Sequence, residues 1–298
     1  MTEDEVLGLF ESCSNTGRWG ADDERGTLNH VTAEKRLEAL ALVREGVSLS
    51  IGRDLAVNGS AQVPASAVHV LLYDAHSPTA ALELLTLVPH GFEMTHLDAV
   101  VHSYFEGKVY NGRRAEDTVR RAGGLRFGSI MAHADGIVTR GVLLDVAAAR
   151  CVDYLLAEDG ISVADLEAAE ELSGTRVSYG DAVFVRSGQA LRERAEGPLP
   201  DVPREGLLAE CVPWLHAREI AVYSGDCIER LPSGYERVPM PLHQIGMVAM
   251  GLAIMDCVDC ERLVAACRAG GRHEFCLIVA PLRVPGGTAS AVNPLALF

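Results

Sequence analysis

No apolar run in this chain approaches the ~20 residues that a membrane-spanning helix needs, and the N-terminus lacks the charged-then-apolar pattern of a secretory signal. Basic residues are scarce: 26 Lys and Arg stand against 41 Asp and Glu, a net charge of −15. Such a surface repels phosphate backbones and anionic membranes, so neither nucleic acid nor a membrane is an expected partner. There is no Gly-x-Ser-x-Gly elbow, no phosphate loop, no dinucleotide fingerprint and no internal repeat. These absences exclude the usual serine hydrolases and nucleotide-dependent enzymes. Eight cysteines with no secretory signal read as reduced thiols of a cytoplasmic protein.

What is present is a long, apolar chain with one concentrated cluster of metal-ligand residue types. Hydrophobic residues make up 48% of 298, enough for a sizeable core. The cluster is Thr95–His102, Thr-His-Leu-Asp-Ala-Val-Val-His. On an extended strand side chains alternate between faces, so His96 and Asp98 point the same way, and His102 can fold back toward them. Imidazole nitrogens with a carboxylate suit Zn²⁺, Mn²⁺ or Fe²⁺, and a carboxylate between two imidazoles can bridge two metals. On spacing alone, a polar strand end with two satisfied histidines competes evenly with a metal site.

Elsewhere the pattern alternates between helix and strand, which predicts α/β rather than all-β. Thr32 caps an expected helix over 33–45, with an apolar stripe of Ala33, Leu37, Leu40 and Ala41. Strands are expected over 47–55, 68–73, 81–88, 136–146, 180–188, 220–223 and 274–282, with 59–66 a polar loop. Ser162 and Asp165 form a capping-box start for a helix to about Leu172. The charged, Pro-rich stretch 191–205 reads as an exposed excursion, and Tyr104–Arg121 as a basic loop that is either a solvated face or a lid over a polar substrate. Asp226, just past a strand end, is a candidate behind the site, with a structural cap as its default role. Asp145 reads as structural. Residues 242–255 are apolar enough for one buried helix. Thirteen residues of helix rise ~20 Å, so His243 and Asp256 reach one site only if the helix breaks, and Gly251 is the expected place. Cys257-Val258-Asp259-Cys260 lacks the spacing of paired zinc knuckles and reads as core thiols.

Residues 96–99 and 102, followed by Phe105-Glu106-Gly107-Lys108-Val109-Tyr110-Asn111-Gly112, resemble the cyclase family of metal-dependent hydrolases, which includes kynurenine formamidase, isatin hydrolase and polyketide cyclase-like proteins. The family signature is His-x-Gly-Thr-His-x-Asp-x-x-x-His. By position His96, Asp98 and His102 match it, while its first His falls at Phe92, which binds no metal. His90, two residues upstream and on the same strand parity, is the expected replacement. The resemblance spans about Arg18 to Phe298. It implies a single α/β domain over 1–298 with a swivelling β/β/α architecture, a β-rich core and outer helices. Residues 1–17 form an N-terminal extension that packs on the body or on a neighbouring subunit. It further implies His90, His96, Asp98, His102 and Asp256 as metal ligands, His243 as the proton-transfer group, and Trp19 and Leu28 as pocket walls.

The implied chemistry is hydrolysis of an amide or lactone by metal-activated water, with one tightly held Zn²⁺ or Mn²⁺, at most a weak second ion, a small-molecule substrate, and a homo-oligomer, dimer or tetramer. A metal-assisted cyclase of the polyketide type is the alternative. Phe92 at the position of the first ligand keeps open a metal-free binding protein on the same fold.

Overall fold

In a computed structural model that describes residues 1–57, 67–73, 76 and 79–298, the chain is a single-domain α/β fold around one nine-stranded mixed sheet. The strands of this sheet are β1 (Ser48–Ser50), β4 (His96–Asp98), β5 (Ile137–Asp145), β6 (Ala182–Arg186), β7 (Val222–Gly225), β8 (Ala253–Asp256), β9 (Glu274–Val279), β10 (Ala289–Ala291) and β11 (Leu295–Leu297). Strands β2 (Ala67–Tyr73) and β3 (Leu82–Leu87) form a separate antiparallel ribbon. The order across the sheet is β1-β11-β9-β5-β6-β7-β8-β4-β10. Strands β5 to β8 run parallel, and the outer pairs are antiparallel.

The parallel centre is buried on both faces, as the near-continuous apolar runs of β5 and β6 require. Val142, Leu144, Val183, Val185 and Ile254 belong to one core, and Leu143, Ala182, Phe184 and Met255 to the other, alternating with strand period. Helices α1 (Glu3–Ser12), α3 (Val163–Ser173), α5 (Cys211–Ala217) and α6 (Leu242–Met250) contribute to the first core, and α7 (Cys260–Gly270) to the second. Helix α2 (Ala33–Leu40) packs on β5 and β9. Thr2 and Ser162 each close a capping box, so α1 and α3 begin where their sequences dictate. Val6 and Leu9 of α1 are buried against this chain's own core.

Several expectations are corrected. Helix α2 stops at Leu40, and its buried side carries Lys35 and Ala39 while Leu37 is 68% exposed. The reason is an ion pair: Lys35 Nζ lies 2.6 Å from the wholly buried carboxylate of Asp181, at the start of β6. The stretch 191–205 is not wholly an excursion, because Gln189–Glu196 is helical (α4) and Arg192 is held by Glu205 at 2.9 Å. Residues 242–255 are a wide, π-type helix and then a strand. Gly251, at φ +66°, turns the chain between them, and a Cβ there would lie 2.4 Å from the Tyr110 ring. Strands β2 and β3 form where expected and are largely exposed. The expected loop over 59–66 lies outside the described residues. Among the described residues, no helix is long and apolar enough to cross a membrane.

Candidate metal centre

Register places the first three donors. In the β4–β8 pair His96 lies opposite Asp256, and Asp98 follows two residues along β4, so all three side chains share the face toward α6. The turn at Gly251 sends β8 back along α6, which brings His243, in the first turn of that helix, to the end of β8. His90 arrives from the segment that follows β3, and His102 from a turn whose amide donates to Ala99 O.

Asp98 is the centre. It is fully buried, and neither carboxylate oxygen has a hydrogen-bond partner among the described residues. Imidazoles surround it: His90 Nδ1 at 3.1 Å without hydrogen-bond alignment, His96 Nε2 at 3.7 Å and His243 Nε2 at 3.8 Å. Asp256 Oδ2 stands 3.9 Å from His96 Nε2 and 3.7 Å from His243 Nε2. His90 and His102 stack with ring centroids 3.9 Å apart. Two groups of donors therefore share Asp98: His96, Asp98 and Asp256, all buried, and His90, Asp98 and His102 nearer the surface.

Electrostatics follow from burial and crowding. Burial pushes the Asp98 carboxyl up, but His90, His102, His96 and His243 together outweigh it and hold the group at about 2. Burial instead dominates at Asp256, raised to about 6, and at His102, lowered to about 4. Burial would also lower His243, yet the carboxylate of Glu229 prevails and pushes it up to about 10.

The outward nitrogens are fixed. His96 Nδ1 donates to Met94 O at 2.8 Å, His243 Nδ1 pairs with Glu229 Oε1 at 2.6 Å, and His90 Nε2 meets Thr288 Oγ1 at 2.9 Å. Each leaves the other ring nitrogen facing the carboxylates, the arrangement that orients metal-bound histidines. Donors at 2.0–2.2 Å around a tetrahedral Zn²⁺ stand about 3.4 Å apart. The imidazoles of His96 and His243 each stand 3.7–3.9 Å from an Asp98 oxygen and from Asp256 Oδ2, within a few tenths of that spacing, with His96 nearest Oδ1 of Asp98 and His243 nearest Oδ2. The orphaned carboxylate and the chemistry of the donors thus fit a divalent cation.

Residues 32–229 match the Cyclase family model, described as "Putative cyclase". The chain belongs to the Cyclase family. No curated protein matches it. A crystal structure described as a novel cyclase is 26% identical with TM-score 0.84, covering 96% of this chain and 99% of its own. Isatin hydrolase A from Labrenzia aggregata, bound to benzyl benzoate, shares the fold at 19% identity and TM-score 0.60, over 89% of this chain and 98% of its own. An isatin hydrolase bound to the product analogue thioisatinate does so at 17% and 0.59, over 90% and 99%.

Within this Cyclase-family chain, six of the eight residues singled out from the sequence meet around Asp98, and two do not. Trp19 packs edge-on to His30, which in turn meets Tyr179 ahead of β6, at the end of the sheet opposite Asp256. Leu28 is buried in the second core. Phe92 carries the Arg204 guanidinium 4.1 Å over its ring, outside the donor set. Asp226 accepts from Ser187, Gly188 and Gln189 amides and caps α4. Sequence reasoning missed Glu229 and Thr288, which hold His243 and His90. An acid three residues past Asp226 was the available signal for Glu229. It also missed His133, buried with both ring nitrogens unpartnered among the described residues and lowered to about 4 by burial and Arg25 against the pull of Asp98.

Proposed function

We propose that this Cyclase-family protein is a metal-dependent hydrolase that opens an amide or lactone of a small molecule, working as a homo-oligomer. The observation that carries the reading is Asp98: a buried carboxylate with no hydrogen-bond partner among the described residues, ringed by imidazoles whose outward nitrogens are already tied.

His96, Asp98, Asp256 and His243 would hold one Zn²⁺ or Mn²⁺, and a weak second ion at His90 and Asp98 would compete with the proton-transfer role for His102. When bound, the metal supplies Lewis acidity, polarising a carbonyl and lowering the pKa of water toward ~7. The sequence reading gave proton transfer to His243. Its Nε2 lies among the donors and its Nδ1 is taken by Glu229, so we assign it as a ligand and give proton transfer to His102. His102 is half-buried and held neutral near pH 7 by burial, so it can accept a proton from the attacking water and return it to the leaving nitrogen or oxygen. Ring closure of a ketone uses the same polarisation, which makes cyclisation the alternative outcome of an activity screen.

The test is a hydrolysis screen of cyclic amides, N-acyl anilines and lactones, with two variants. Asp98→Ala should lose metal and activity together. His102→Ala should keep the buried metal and slow turnover by about 10²–10⁴, as loss of a general acid/base does. Full metal and full activity in Asp98→Ala would reject the site assignment.

A further inference from the structure

The segment Phe105–Gly112 supplies no metal donor, yet it walls a cavity of about 430 Å³, inside the ~300–1,000 Å³ of small-molecule sites. Val248 and Ala249 line it from the end of α6 opposite His243. Phe10 of α1 lines it too, stacked on Phe105 with ring centroids 3.9 Å apart. The turn that carries Phe105 is preformed. Phe105 and Lys108 exchange both backbone hydrogen bonds, at 2.9 and 3.0 Å. Between them Glu106 and Gly107 have φ of +47° and +72°, as a two-residue hairpin turn requires. Residues paired in this way carry their side chains on one face, so Lys108 stands beside the Phe105 ring at the cavity.

Charge singles out Lys108. The chain has only two lysines, and Lys35 is taken by Asp181. Lys108 is exposed and forms no ion pair among the described residues, while the neighbouring Glu106 is paired with Arg237. A chain of net charge −15 thus sets an uncompensated cation beside a largely apolar cavity. We propose that this cavity is a second small-molecule site, separate from the metal centre, and that it takes an aryl acid: a flat apolar body with one anionic group. The body lies against Phe10, Phe105, Val248 and Ala249, where aromatic side chains offer large contact area. The anion meets the Lys108 ammonium, with the Ser14 and Thr16 hydroxyls of the same lining as donors. A neutral ligand would leave Lys108 without a partner, and an inorganic anion would leave the apolar walls uncovered.

The test is calorimetric titration of the full chain with naphthalenesulfonate, joined to amine methylation read by mass spectrometry. A sulfonate is chosen because it is a poor ligand for Zn²⁺ or Mn²⁺. Saturable binding is expected, and the bound probe should slow methylation of Lys108 but not of the N-terminal amine, the internal control. Lys108→Met, which keeps the stem and removes the charge, should weaken binding about fivefold, as loss of a partly exposed ion pair does. Val248→Phe, which fills the cavity, should abolish it. Asp98→Ala should bind the probe as the parent does, so failure of the metal reading would leave this proposal standing. No binding at millimolar probe, binding lost in Asp98→Ala, or affinity and Lys108 labelling indifferent to Lys108→Met and to the probe would each overturn it. If Val248→Phe fails to fold, Lys108→Met and the labelling decide.

Discussion

A buried carboxylate whose two oxygens find no hydrogen-bond partner among the described residues costs several kcal/mol unless something cationic faces it, and Asp98 is faced by the imidazoles of His90, His96 and His243, with the Asp256 carboxylate beside them. The same logic reaches one residue further out. Glu229 accepts from His243 through both the ring and the backbone amide, so it fixes the tautomer that points Nε2 inward. Glu229→Gln removes the charge and keeps the shape. Its expected effect is a loss of about 10–100-fold in metal affinity, measured by competition with a chelator, with the fold intact. Unchanged affinity would make Glu229 a bystander. His96 and Asp98 were legible in the sequence because strand alternation alone puts residues two apart on one face. His90 was named on the same parity, yet residues 88–95 are bend and coil, so it reaches the site by the path of that loop and not by strand alternation. Glu229 was not legible, since its partner lies 14 residues away across a turn that no periodicity announces. The sequence leaves Trp19 open between pocket wall and packed aromatic, because an aromatic beside a glycine-rich loop looks the same in both; here it packs edge-on to His30.

At the scale of elements, the site depends on a helix and a strand that fold back on each other. Gly251 makes that turn in the left-handed region, close against Tyr110. Gly251→Ala should cost about 2–4 kcal/mol, from the left-handed backbone and the overpacked ring together, read by denaturant unfolding. It should also loosen metal binding, because His243 and Asp256 sit on opposite sides of the turn. A variant as stable as the parent would show that the turn is not strained by a side chain. The break was legible because one unbroken helix holds its ends too far apart, and glycine is the residue that ends helices. Helix α2 was misread for a physical reason: the buried Lys35–Asp181 pair outranks the leucine stripe in choosing which face turns inward. The ribbon was legible as two strands, but sequence alternation cannot say whether a strand pair lies on the body or stands off it.

At the scale of the whole molecule, the sheet gathers candidate metal donors from distant parts of the chain at one place, in a chain of net charge −15. The parallel centre was legible from its continuous apolar runs, whereas the order of nine strands was not, since pairing partners are chosen by packing across the fold. The account stands on the claim that this convergence holds a metal. The direct measurement is elemental analysis by mass spectrometry of protein purified without added metal, before and after chelation. At least about one equivalent of Zn²⁺ or Mn²⁺ per chain is expected, as the buried imidazoles and carboxylates are of the types that hold these ions. Protein that carries no divalent metal, and takes up none when Zn²⁺ or Mn²⁺ is supplied, would contradict it.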